Sequence, residues 1–281
     1  KSIVVWAKGK IRRIQIDDGS EFVIPFRIVD ERQITEALRF PVEVAPERFD
    51  VRMLRWVTTA PAGGQVTFQA LGYLYLRDLP DGKERRLTNQ SDHFEFYPSF
   101  SRDGRYLVYT TWNDEKLGSI RVTSVDPERP ESWSVTDEPG HYSNPTFSPD
   151  GQTVVFEKRG GGHLHSPLWS RDQGLYRVDV HGGKATRISK SGRRPQFGAD
   201  DARVFYQEVE RGKDADNRRL CSVKLDGTDQ RVHYTSEWAT DYKVSPNGRW
   251  IGFIERFHVY LAPFVQTGKM ITVAPKATGL P

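Results

Sequence analysis

Two groups of residues in this 281-residue chain have types and spacings that could do chemistry. His163-Leu164-His165 has the spacing by which two imidazoles on one strand reach the same divalent metal ion. Gly160 to Gly162 precede the pair and Ser166-Pro167 follow it, which describes a loop, and no alternation of strands and helices follows to supply further ligands. Asp103-Gly104, Asp150-Gly151 and Asn247-Gly248 resemble fragments of calcium loops, but the full series of oxygen ligands is missing and hairpin turns explain them. No Gly-x-Ser-x-Gly elbow occurs, so the serine-hydrolase arrangement is missing. The expectation is a chain with no catalytic residues, no bound metal and no cofactor.

The elements that must position any site are read from one stretch, "NPTFSPDGQTVVF", Asn144 to Phe156. Pro149 presets φ for a tight turn, Asp150 suits the next position and Gly151 accepts positive φ. Thr153 to Phe156 is β-branched and aromatic, as a strand requires. The unit recurs, with an aromatic five residues after each turn position: Gly63 and Phe68, Gly104 and Tyr109, Asp201 and Tyr206, Gly248 and Phe253. Successive turns lie 41 to 50 residues apart, the period of a four-stranded propeller blade.

Third strands follow in each period, such as Leu74–Asp78 and Leu175–Asp179, and fourth strands such as Thr186–Ser189, with Ile271–Val273 assigned to close the last. The N-terminus supplies second, third and fourth strands only, with Trp6 in the aromatic position. The fold class is therefore all-β: a six-bladed β-propeller of four-stranded antiparallel blades, its first blade incomplete, forming a single domain over 1–281. Residues 27–55 form an insertion between the first two blades, with a short helical stretch expected at Asp30 to Leu38. Longer loops are expected at Lys158 to Gly174 and at Glu210 to Arg219. Beginning in mid-unit and without Met, the sequence reads as a fragment of a longer chain.

Composition limits the function. No run of 18 apolar residues exists, which excludes a membrane-spanning helix, and the net charge of +4 is spread along the chain, which argues against nucleic acid. Cys221 is alone, so no intrachain disulfide forms.

In a propeller the loops before the inner strands converge on the central opening. The residues there are His93, Glu95 and Tyr97, then His141, Tyr142 and Asn144, then Arg193 and Arg194, then Trp238, Asp241 and Tyr242. Aromatic and Arg side chains are the usual anchors of protein interfaces, so this set is the expected partner-binding rim.

The repeat Phe-Ser-Pro-Asp-Gly-x4-aromatic, closest at Phe100–Gly104 and Phe147–Gly151, with Leu-Tyr-x-x-Asp and a glycine turn after it, resembles the WD-like repeat of the TolB family over nearly the whole chain. The stretches "RFPVEVAPERFDVRMLRW" and "LYLRDLPDGKERRLT" are similar to the propeller region ahead of an amidohydrolase domain in secreted bacterial proteins. The TolB resemblance implies a periplasmic or secreted, non-enzymatic module that binds a protein or peptide at its central opening. The second implies an accessory propeller that gates access to a metal-dependent amidohydrolase or peptidase domain in the same polypeptide.

Overall fold

A computed structural model of the protein describes residues 1–34, 43–160, 172–212, 216–266 and 268–273. His163, His165 and the final Ala274–Pro281 lie outside the described residues. The chain divides into two compact units, Lys1–Phe49 and Asp50–Pro281.

The first unit holds one antiparallel sheet of Ser2–Ala7, Lys10–Gln15 and Glu21–Ile24. Lys8 and Gly9 form its first turn with φ of 51° and 71°, the two-residue geometry that matches strand twist. The three strands agree with the sequence. Trp6 differs from its expected equivalents in being exposed. The described part of the expected helical stretch, up to Ile34, contains no helix.

Among its described residues the second unit holds five sheets, all antiparallel but for one added strand. Their inner strands are Arg55–Thr59, Phe94–Phe100, Tyr142–Phe147, Arg193–Phe197 and Thr240–Val244, each in contact with the next. The strands that follow run outward in chain order, as in Thr153–Lys158, Gly174–Asp179 and Thr186–Ser189. Gly63, Gly104, Gly151 and Gly248 occupy the inner hairpin turns with φ between 67° and 75°, where any side chain would be strained. Asp103 and Asp150 use Oδ1 to accept from Ser101 and Ser148 hydroxyls, each at 2.6 Å, and from backbone N–H groups beyond the turn. Those carboxylates brace the turns.

The core lies between facing sheets. Val108, Ile120 and Val122 pack on Val154, Phe156 and Val178; Val155 and Leu175 pack on Val204, Tyr206 and Cys221; Phe205 and Leu220 pack on Ile251 and Phe253. Burying each such aliphatic or Phe side chain contributes about 1.5–3 kcal/mol, which makes these seams the main source of stability. Burial and the neighbouring Glu208 push the Cys221 thiol up to about 12, so it stays protonated and packs as a small apolar group.

The last strand corrects the expected pattern. Ile271–Thr272 does not close the sixth sheet; it pairs in parallel with Arg231–Ser236 as a fifth strand of the fifth sheet, and Val273 N–H donates to Thr235 O at 2.8 Å. The cause is Phe264, which follows the last strand of the sixth sheet and packs against Phe205, His233 and Tyr234, drawing the chain back over its neighbour. Among the described residues the sixth sheet has three strands, Thr240–Val244, Trp250–Glu255 and His258–Pro263.

Candidate partner-binding cavity

Every inner strand of the second unit breaks register at the same place. The shifts lie between Arg55 and Thr58, Phe96 and Ser99, Ser143 and Thr146, Arg193 and Gln196, and Thr240 and Lys243. At each, one residue is left-handed: Trp56, Tyr97, Asn144, Arg194 and Asp241, with φ between 48° and 53°. Asn and Asp tolerate that region, whereas Trp, Tyr and Arg are held there by the surrounding sheet. The residues after three of them are Pro98, Pro145 and Pro195, which carry no N–H and so leave no orphan donor where the ladder is interrupted. In the sixth sheet no proline follows, and Gln196 satisfies the backbone instead. Its amide donates to Tyr242 O at 2.9 Å and accepts from Val244 N–H at 3.0 Å.

Four of the five left-handed residues line a cavity of about 590 Å³ between the inner strands, and Asp241 joins it through an ion pair with Arg194. One wall is aromatic, with Trp56 and Tyr97 at 4.5 Å between ring centres. The other is charged. Glu157 accepts from Asn144 Nδ2 at 3.1 Å and pairs with Arg159 at 3.4 Å. Among the described residues, the side chains of Arg193 and Lys243 make no hydrogen bond or ion pair. Lys243 is exposed to solvent, yet its ammonium is partly desolvated by the protein around it. This desolvation, with Arg194 nearby, moves its ammonium below the ordinary lysine value.

The cavity gathers Tyr97, Asn144, Arg193 and Arg194 of the expected rim, with Asp241 beside them. It does not gather the others. Tyr142 is 6% and Tyr242 1% exposed, so both are core: Tyr142 stacks edge-on against Phe156 at 5.2 Å and donates its hydroxyl to Glu138 O, while Tyr242 packs on Phe253. Burial raises both phenols, Tyr142 to about 12. Glu95 is wholly buried; it accepts from Leu74 N–H at 2.7 Å and Gln90 Nε2 at 2.6 Å, with Thr88 as a third donor, and so ties the second sheet to the third. Glu95 and Tyr142 stand two positions before the left-handed residue of their strands and Tyr242 one after it; the bulge shifts the alternation there, and all three face the core.

His93 lines a different concavity of about 650 Å³ on the flank of the third sheet, with Nδ1 3.2 Å from Asp92 and Nε2 covered. No left-handed inner-strand residue reaches that concavity. His141 lies against Trp112 at 5.6 Å, and burial together with Arg159 lowers its affinity for a proton. Trp238 is exposed under the Arg256 guanidinium, 5.0 Å away. Sequence reading missed Trp56, Glu157, Arg159 and Lys243. A signal existed for Trp56: it stands at the residue count before its turn glycine that Tyr97 and Asn144 share.

No family model matches the chain. An 82-residue segment is 30% identical to the Tol-Pal system protein TolB of Francisella tularensis subsp. mediasiatica, covering 29% of this chain and 18% of that protein. The match therefore spans less than a fifth of that relative's length. TolB from Acinetobacter baumannii superposes with a TM-score of 0.53 at 16% identity, over 90% of this chain and 59% of that one. Oligogalacturonate lyase from Vibrio parahaemolyticus superposes with a TM-score of 0.56 at 10% identity, over 91% and 68%. The fold is a TolB-like β-propeller.

Proposed function

We propose that this TolB-like propeller is a non-catalytic binding module of the bacterial cell envelope, periplasmic or secreted, that holds a protein or peptide partner in the cavity between its inner strands. The observation that carries the reading is the repeated left-handed bulge. Four of the five left-handed positions, from four sheets, line one cavity and the fifth, Asp241, pairs with Arg194 there; backbone strain such as that at Trp56, Tyr97 and Arg194 is retained where it positions side chains for a ligand. The TolB likeness in sequence and fold supports the envelope setting. The likeness to the lyase is one of fold, and fold alone carries no reaction.

The test is capture from envelope extract by the immobilised chain and by Thr146→Trp, which fills the cavity from its wall. A protein retained by the wild type and released by the variant supports the reading; equal retention by both places the interface elsewhere and overturns it. Non-catalysis is checked by assaying small amides and peptide esters with zinc or manganese. Metal-dependent turnover that His163→Ala or His165→Ala abolishes would overturn that part.

A further inference from the structure

The cavity wall is not electrically balanced. Arg159, Arg193, Arg194 and Lys243 stand against Glu157 and Asp241, four cations to two carboxylates. Arg159 is matched by Glu157 and Arg194 by Asp241, so the surplus is Arg193 and Lys243. Gathering surplus cations in one cavity costs free energy; at Lys243 desolvation first, and then the Arg194 guanidinium, lowers the proton affinity of the ammonium. An occupant that supplies two negative charges relieves it. The facing wall, Trp56 against Tyr97 with Pro98 beside them, offers apolar area and no charge. A small free dianion would leave that wall wet, whereas a peptide segment can place carboxylates on one side and an apolar side chain on the other.

We infer that the occupant of the inner-strand cavity is an acidic peptide segment, whose two carboxylates pair with Arg193 and Lys243 and whose apolar side chain rests on Trp56 and Tyr97. The inference rests on the binding-module reading and specifies its partner's chemistry.

The experiment is fluorescence anisotropy with a labelled octapeptide of alternating glutamate and leucine, its glutamine-leucine counterpart, and unlabelled trigalacturonate as competitor. The acidic peptide is expected to bind the wild type, to weaken as salt rises, and to lose about tenfold in affinity with Arg193→Gln or Lys243→Gln. Lys243→Arg, which keeps the charge, should retain binding, and circular dichroism should show every variant folded. Absence of binding by the acidic peptide, equal binding of the glutamine peptide, or indifference to both charge-removing variants would overturn the inference. Displacement by trigalacturonate at lower concentration than by unlabelled acidic peptide would also overturn it, in favour of an acidic saccharide. The two levels separate through Thr146→Trp: if it releases an envelope partner that the charge variants keep, the cavity reading stands and the acidic-segment inference falls.

Discussion

Arg102, at the inner turn of the third sheet, donates to Gly198 O at 2.6 Å and to Ala199 O at 3.2 Å in the inner turn of the fifth. The two donors of one guanidinium thus span the tip of the intervening sheet and fix the spacing of inner strands on either side of it. Arg102→Ala should lower stability by about 1–3 kcal/mol, since it removes charge-assisted bonds and strands two carbonyls. Arg102→Lys should restore little of this, because a single ammonium does not reproduce the fork. Urea unfolding of the three proteins measures both; equal stability of Arg102→Ala and wild type would show that the bridge is idle.

Glu95 carries a second stability prediction. Its carboxylate satisfies one backbone and two side-chain donors from the second sheet and the loop that follows it. Glu95→Ala leaves them buried without an acceptor and should cost about 2–3 kcal/mol, while partner capture at permissive temperature stays as in the wild type. Loss of capture with unchanged unfolding would return Glu95 to the binding surface.

Tyr142 and Arg194 should part company under substitution. Tyr142→Ala opens a void against Phe156 and should cost about 3–5 kcal/mol. Arg194→Ala removes a half-exposed ion pair with Asp241 and should change stability by less than about 1 kcal/mol, with its effect falling on capture. Thermal melts beside capture assays make the comparison, and similar melting losses for the two would refute it.

His233 sets a pH dependence. Burial, reinforced by Arg203 and Arg231, lowers its pKa from 6.5 to about 4. Its Nε2 lies 2.7 Å from Ser222 Oγ, which already accepts from Arg203 Nε at 3.0 Å, so Ser222 donates and the imidazole accepts in its neutral form. Phe205 and Phe264 cover the ring. The unfolded chain takes up the proton first, so the contribution is complete above pH 6.5 and is lost as pH falls toward about 4. His233→Gln keeps an acceptor but does not titrate. Relative to that variant the wild type should lose about 2 kcal/mol between pH 7 and 4.5; parallel pH profiles in urea unfolding would rule the effect out.

The inner turns are legible in sequence because positive φ forces glycine at four of them, and the strand aromatics because the pleat buries every second side chain. The site is less legible for two reasons. The bulge advances each inner strand past its alternation, so Glu95, Tyr142 and Tyr242 count as rim residues by position and as core residues by direction. The proline after Tyr97, Asn144 and Arg194 marks the interruption, but Trp56-Val57 and Asp241-Tyr242 lack it. Lys243 and Glu157 enter the cavity from the sixth and the fourth sheet, a juxtaposition no local spacing encodes. The parallel placement of Ile271–Thr272 depends on where Phe264 packs, a contact between residues far apart in the chain.

At the five left-handed positions one backbone geometry, within 5° in φ, carries Trp, Tyr, Asn, Arg and Asp. The conformation is set by the bulge and not by the residue that occupies it. Scaffold and specificity are therefore separable here: the bulges behave as a rack of interchangeable tools, and a new ligand preference can be acquired by replacing one side chain at a time without redrawing the strands that hold it.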